Sequence, residues 1–217
     1  MSLAYGDTRD SLKNREAFLR TLGIASVQLV CAQQVHGDTV AAVRGADRGR
    51  GALTQDSAIP GTDALVTGER QVPLGIFTAD CLSVFLYDPL TPAAGIVHAG
   101  WKSSRQHITA KAVSMMQQLF HSRPEDLHAW FGPSMRSCCY EVQEEFRGYF
   151  PTGVRERDGR HYLDLVSLNS EELRQAGVGE GHIADSGICT SCRRDEYFSF
   201  RREGRECGRM LSVIMLR

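Results

Sequence analysis

Apolar positions recur along this chain at two spacings. Over residues 10–22 they fall at Leu12, Phe18, Leu19 and Leu22, one face of a 3.6-residue period, with Asp10 or Ser11 available as a cap and Gly23 as a stop. The pattern predicts a first helix there. A second helical stretch opens at a cap on Ser103 or Ser104 and runs to about Phe120, with Ile108, Ala112, Met115, Met116 and Leu119 turned inward. Shorter helical signals cover residues 141–149 and 168–176. Runs rich in β-branched and aromatic residues predict strands near 27–30, 82–87, 94–97, 127–131 and 162–165. Residues 44–61 are polar and carry Gly45, Gly49 and Gly51, which reads as a flexible loop near the site. Residues 151–160 form the one soft boundary and are too few to separate two domains. The span 1–217 is therefore expected to be a single unit.

The strands near 82–87 and 94–97 flank Asp88-Pro89-Leu90-Thr91-Pro92, a segment dense in turn formers, and so read as a hairpin. The midpoint of residues 81 and 98 falls inside that turn. Folding the hairpin there sets Cys81 against His98, with Cβ atoms about 4.5–5.5 Å apart if they pair directly. A shift of one residue would send them to opposite faces. A third candidate, His36, sits in Gln33-Gln34-Val35-His36-Gly37, where its imidazole leaves a strand end or turn. Two nitrogens and a thiolate are a donor set that zinc accepts in catalytic sites, with a fourth position left open. From spacing alone two accounts stay open: a metal centre, or a buried thiol beside hydrogen-bonded scaffold imidazoles.

Composition narrows the class of function. Net charge of −1 argues against an extended surface for nucleic acid or anionic membrane. No apolar run approaches the roughly 18 residues of a spanning helix, and residues 1–5 lack the pattern of a signal peptide, so a cytoplasmic protein is expected. Seven cysteines are an odd number without a regular pairing pattern, which favours reduced thiols. Adjacent Cys138 and Cys139 would face different directions in an extended chain and read as structural thiols. Cys189-Thr190-Ser191-Cys192 has half of a zinc spacing, but no second such pair completes it, so no metal is assigned there.

Anion contacts have several candidates. Gly100 permits a sharp turn into the helix start at Ser103, where backbone N–H groups with Lys102 and Arg105 could hold phosphate. Guanidinium groups of Arg201, Arg202 or Arg209 suit bidentate oxyanion contacts, as does Arg136, although most such side chains are solvated. Trp101 could stack on a flat ring of a ligand or simply pack.

Four words stand in order: Gln34-Val35-His36-Gly37, Thr78-Ala79-Asp80-Cys81, His98-Ala99-Gly100-Trp101-Lys102, and Gly132-Pro133-Ser134 leading to Cys138-Cys139-Tyr140-Glu141-Val142. Cys189-Thr190, Phe198-Ser199-Phe200-Arg201-Arg202 and Gly208-Arg209 extend them. Thr62-Asp63-Ala64-Leu65-Val66-Thr67 and Asp164-Leu165 with Asn169 add weaker matches. From about residue 5 onward the chain resembles the laccase-domain family, also described as multicopper polyphenol-oxidase-like and as peptidoglycan editing factors. The resemblance implies an α+β fold, a layered α/β sandwich with mixed, largely antiparallel sheets, similar to the cytotoxic necrotizing factor-like putative cysteine hydrolase fold. It also implies a zinc-containing purine nucleoside phosphorylase acting on adenosine, inosine or methylthioadenosine. Phosphate would give ribose 1-phosphate, with adenosine deaminase as a side activity.

His36, Cys81 and His98 match the family's metal-ligand positions, with copper as an in vitro substitute for zinc. Asp80 is expected to be catalytic if the strand kinks there and otherwise to support a ligand. Gln34, Trp101, Lys102, Arg136, Arg201 and Arg202 are the expected substrate contacts. No nucleic acid or membrane partner is expected, and the chain should be a monomer or weak homodimer. Ser103-Ser104 replaces the family's usual Gly-Thr, Met135-Arg136-Ser137 replaces smaller residues, and Tyr5-Gly6-Asp7 follows the start almost at once. The first two departures bear on substrate preference, and the third on one wall of the pocket.

A different enzyme class uses the same pair. Cys81 as nucleophile and His98 as base would make a cysteine-type amide hydrolase, and the resemblance implies peptidoglycan precursors as what it would edit. His36 discriminates, because a dyad needs no second imidazole. A multicopper oxidase is disfavoured, since the chain has seven His in total and only two inside the motifs.

Overall fold

The computed structural model describes residues 1–3 and 8–217, so the Tyr5-Gly6-Asp7 segment lies outside the described residues. The first predicted helix is present as α1 (Thr8–Thr21), with Leu19 buried and Phe18 and Leu22 packed against the same cluster. The apolar pattern gave no hint of Arg15, which is buried on this helix. Its guanidinium donates to the carbonyls of Gly51 and Ala52 at 2.8 and 2.5 Å and lies 5.0 Å from the Phe77 ring centroid.

Those bonds correct the reading of residues 44–61 as a flexible loop. The stretch contains two short 3-10 turns, Gly45–Asp47 and Gln55–Ser57, with Ala52, Ala58 and Ile59 buried. Gly51 has φ of 76°, and a Cβ there would stand 2.6 Å from the Cβ of Cys31, so glycine permits the close packing. Small side chains and backbone hydrogen bonds fix this wall, which is why a polar composition disguised it.

Three sheets follow. Short strands β1 (Val30–Cys31) and β2 (Val40–Ala42) precede β3 (Ala64–Thr67), β4 (Leu74–Thr78), β5 (Leu82–Asp88) and β6 (Ala93–Ala99). After α2 (Trp101–Arg105) and α3 (Ile108–Phe120) come β7 (His128–Phe131), β8 (Glu141–Val142) and α4 (Phe146–Tyr149). The chain continues through β9 (Val154–Arg157), β10 (Arg160–Leu163), α5 (Leu165–Gln175), β11 (Ile183–Asp185), α6 (Phe200–Glu203) and β12 (Met210–Ile214). A six-stranded sheet has the order β11-β7-β5-β6-β3-β2, beside three-stranded sheets β1-β4-β12 and β8-β10-β9.

Six of nine strand pairings among the described residues are antiparallel, in keeping with the expected mixed α+β class. Alternation places Val66, Val84 and Val97 against Ile108, Ala112 and Met116 of α3. Leu65 and Ile96 point the other way, onto Val30, Leu74 and Ile76. The central sheet is thus covered on both faces, and every residue of β6 is buried.

Several predicted elements shift. The helix expected from Ser103 to Phe120 is two helices, divided at His107, which has φ of 60°. Leu119, expected inward, is exposed. Residues 141–149 begin as a strand, and only Phe146–Tyr149 are helical. Asp164 accepts from the Ser167 N–H at 3.0 Å and caps α5, which moves that helix start three residues upstream of the expected position. The soft boundary near 151–160 is a β9–β10 hairpin.

Candidate metal centre

In the β5–β6 ladder, Ser83 stands opposite His98 and Leu82 opposite Ala99. Cys81 therefore lies diagonal to His98, not directly opposite as the turn midpoint suggested. The displacement is two residues along one strand, so parity is kept and both side chains face the same side. Asp80, immediately upstream, has φ of 82°, and this kink ends the regular strand direction. Its carboxylate accepts from Thr190 Oγ1 at 2.7 Å, Ser199 Oγ at 3.0 Å and the Arg201 N–H at 2.7 Å. Asp80 is thus engaged by the C-terminal segment, and it fixes the backbone from which Cys81 projects.

His36 reaches the same place from the turn after β1, with φ of 59°. Gln34 anchors that turn by pairing both ways with the Phe77 backbone: its Nε2 donates to the carbonyl at 2.8 Å, and its Oε1 accepts the N–H at 2.7 Å. The other anchor is Asp63, a residue that sequence reasoning noted only within a weak motif. Its carboxylate accepts the N–H groups of Val35, His36 and Gly37 at 3.1, 3.0 and 2.8 Å, and it meets His98 Nδ1 at 2.7 Å. A single acid opening an otherwise apolar strand was the available signal, because a buried carboxylate demands partners.

The three donor atoms of His36, Cys81 and His98 lie within 4.8 Å of one another. The two imidazole rings have centroids 4.7 Å apart at 76°. A Cβ on Gly100 would come within 3.2 Å of Cys81 Sγ and 3.3 Å of His36 Cδ2, so a side chain there would crowd the cluster. Burial pushes the Cys81 thiol up, but the charge of His98 and hydrogen bonds from His36 and His98 outweigh it and bring it down to about 6. Burial would lower His98, yet the facing thiolate and Asp63 raise it to about 9. Burial also acts against the Asp63 carboxylate, and its bond to His98 and the surrounding N–H groups hold it below the usual range. With Nδ1 committed to Asp63, His98 presents Nε2 to the thiol side. Two imidazoles, one low thiol and a supporting carboxylate form a donor set suited to zinc.

The centre opens on a cavity of about 290 Å³ whose walls include Gln34, Gln55, Phe77, Phe200 and Arg209. Of the residues expected to contact substrate, Gln34 is here, although its amide is engaged by Phe77. Trp101, Lys102, Arg136, Arg201 and Arg202 do not line it. Trp101 packs on Phe146 and Tyr149, with ring centroids 5.1 and 6.4 Å away, and Lys102 Nζ stands 5.5 Å from the Trp101 ring. Arg136 forms a two-pronged ion pair with Asp185 at 2.8 and 2.7 Å. Arg201 donates to the Glu141 carbonyl at 2.9 Å, and Arg202 to those of Thr190 and Tyr197 at 3.0 and 2.7 Å. The cation at the cavity is Arg209, 5.7 Å from the Phe200 ring and bonded to the Cys207 carbonyl at 2.6 Å.

The helix start expected at Ser103 lies two residues earlier, at Trp101. Helix α2 spans five residues, and the Gly100 N–H is already met by Ser103 Oγ at 2.8 Å. Ser103 Oγ also donates to the His98 carbonyl at 3.0 Å, and Ser104 Oγ accepts from Asn169 Nδ2 at 3.0 Å. The Ser103-Ser104 departure therefore builds the turn and docks α5. A larger cavity of about 670 Å³, beside Trp130, His128 and His182, contains none of the three candidate ligands.

Residues 1–217 match the model of a family described as multi-copper polyphenol oxidoreductase laccase. The chain belongs to this family. Among its laccase-like relatives, purine nucleoside phosphorylase YlmD of Geobacillus stearothermophilus is 35% identical, with 99% of this chain and 82% of the relative covered. Purine nucleoside phosphorylase YlmD of Bacillus subtilis is 32% identical over 94% of this chain and 77% of its own. The crystal structure of the Geobacillus protein superposes with a TM-score of 0.96 at 35% identity, covering 100% of this chain and 84% of that one. Bacillus licheniformis hypothetical protein YfiH gives 0.93 at 34% identity, covering 97% and 82%. YlmD and YfiH, not the cytotoxic necrotizing factor-like cysteine hydrolase fold named from the resemblance, are the structural neighbours found.

Proposed function

We propose that the protein is a zinc-dependent purine nucleoside phosphorylase. The observation that carries this reading is the convergence of His36, Cys81 and His98 on one cavity, with His98 backed by Asp63. The printed names of the relatives support it. Zinc would be held by those three side chains and would supply Lewis acidity at the cavity floor. Asp63 fixes the His98 ring, and Cys81 enters as a thiolate. Phe77 and Phe200 offer apolar surface for a purine, and Arg209 is placed to attract phosphate. A cavity of about 290 Å³ is close to the small end of ligand pockets, about 300–1,000 Å³.

In phosphorolysis, a phosphate oxygen forms a bond to C1′ as the bond from C1′ to the purine nitrogen breaks, and the departing base takes up a proton. Adenosine, inosine and methylthioadenosine are the proposed substrates, ribose 1-phosphate the shared product for the first two, and adenosine deamination a side activity. Residues 1–217 would act as one catalytic unit in the cytoplasm. Incubation with adenosine should yield adenine only when phosphate is supplied, while inosine should form with or without it. If neither product accumulates under either condition, the reading is wrong.

The Asp63–His98–Cys81 line is itself a specific argument for a second reading, a cysteine amide hydrolase acting on peptidoglycan precursors. It leaves His36 without a role. It predicts a covalent adduct on Cys81 with an electrophilic amide analogue and no dependence on phosphate.

A further inference from the structure

Four of the seven cysteines meet at a second place. Cys138, Cys139, Cys189 and Cys192 have sulfur atoms that all lie within 4.8 Å of one another. The sequence argued against this, because neighbouring residues splay apart in extended chain and the 189–192 pair has no second pair at matching spacing. Both objections fail on local geometry. Cys138 and Cys139 sit in a tight turn, where the N–H groups of Cys139 and Tyr140 both donate to the Arg136 carbonyl at 2.9 and 2.8 Å. A second turn, closed by the Arg193 N–H on the Cys189 carbonyl at 3.1 Å, brings Cys189 and Cys192 to one side. The two turns are joined by a parallel bridge between Ser134 and Cys189.

We propose that these four cysteines hold a second metal ion, a structural zinc. Zinc–sulfur bonds of about 2.3 Å in a tetrahedron place neighbouring sulfurs about 3.8 Å apart. The separations of Cys192 Sγ from Cys138 Sγ and Cys139 Sγ are 3.8 and 3.4 Å. All four residues are free thiols. Four sulfur donors satisfy a tetrahedral ion completely and leave no position for substrate, so the site is a brace. Backbone N–H groups of Arg136 and Cys192 point to the Cys189 sulfur, as thiolate ligands require, and Arg157 Nη2 donates to the Cys138 carbonyl at 3.2 Å.

The brace acts on the neighbourhood of the first centre. The Met135 N–H donates to the Asp80 carbonyl at 2.9 Å, and Thr190 Oγ1 donates to the Asp80 carboxylate at 2.7 Å. Each turn of the four-cysteine cluster therefore grips the residue just before Cys81 from a different side. An ion between the turns would hold both grips in register.

Elemental analysis of reduced protein, prepared without added metal, tests this independently of the catalytic reading. Wild type should carry close to two zinc ions per chain. Cys81→Ala should keep one, and Cys138→Ser with Cys192→Ser should keep the other. Because the double variant could misfold, cobalt is also loaded into Cys81→Ala, where the thiolate-to-cobalt absorption should have the intensity of four sulfurs. A Cys81→Ala protein without metal, whose four thiols all react freely with a thiol reagent, overturns the proposal. So does a native mass lowered by the hydrogens lost to a disulfide within the cluster. Loss of activity in Cys81→Ala bears on the catalytic reading alone.

Discussion

The two sulfur-bearing clusters are assembled in opposite ways. His36, Cys81 and His98 come from a turn, a kinked strand start and a strand end that are distant in sequence, and their donors face a cavity. Cys138, Cys139, Cys189 and Cys192 come from two tight turns and face one another. The first group is supported from behind by a carboxylate and open in front. The second is supported by backbone N–H groups of Arg136 and Cys192 at the Cys189 sulfur. The contrast teaches that the number of thiols does not set the chemistry: a mixed donor set with an open side suits reaction, and a closed sulfur set suits bracing.

Acid–base behaviour separates one thiol of each cluster, Cys81 and Cys192, most strongly, while Cys189 is lowered to about 7 against burial by the backbone N–H groups of Arg136 and Cys192. In metal-free protein, burial raises Cys81 but the paired imidazoles bring it to about 6, whereas hydrogen bonds from Cys139 and Cys189 and burial push Cys192 up to about 11. Below the depressed value a proton occupies the Cys81 sulfur, and above it the reactive thiolate predominates. At pH 7 Cys81 should be largely thiolate and Cys192 largely thiol. Alkylation followed by peptide mass analysis should show Cys81 labelling rise through pH 6 and level off, with Cys192 unlabelled until alkaline pH. Equal labelling of both at neutral pH would erase the distinction.

Removal of a ligand should be nearly as drastic. His36→Ala should lose the first metal and bring phosphorolysis to background while the circular dichroism spectrum stays native, since His36 is exposed and fills no core position. Phosphorolysis at the wild-type rate in a folded, metal-poor variant would remove His36 from the required ligands. Asp63→Asn should cost about 10–100-fold in metal affinity or activity, the range for partners of ligating residues. It also weakens the hold on the Val35–Gly37 N–H groups, so metal affinity measured by competition is the readout.

The closed cluster should answer differently. Cys138→Ser with Cys192→Ser should lower the melting temperature by several degrees, at about 2–4 °C per kcal/mol for a chain of this size. Its activity should stay within about tenfold of wild type, below the loss for Asp63→Asn. The smallest effect belongs to Lys102→Ala, which should change phosphorolysis by no more than about twofold, as an exposed substitution outside the cavity. A large rise in the KM for phosphate would return the anion to the start of α2.

Much of this was readable from the chain because parity is robust. Cys81 and His98 share a face whether they pair directly or diagonally, so a misplaced turn did not spoil the inference. The first helix and most of the inner face of α3, Leu119 excepted, were equally plain, since apolar periodicity is a local property. What escaped depended on partners far away in sequence. Asp63 and Arg15 are polar residues whose roles exist only once distant backbone groups arrive. Trp101, Arg136 and Arg202 had suitable chemistry, but Phe146, Asp185 and Thr190 engage them outside the cavity. The sulfur cluster was hidden by assuming extended backbone at residues that form a turn.

Arg15 touches the wall made by residues 44–61 through main-chain oxygens of Gly51 and Ala52. A clasp on carbonyls is indifferent to which side chains the clasped segment displays. Gln55 faces the cavity from that segment, while none of the three metal ligands belongs to it. Substitution at Gln55 can therefore reshape the cavity wall while the metal-binding apparatus is inherited unchanged, making this position a natural place for altered selectivity.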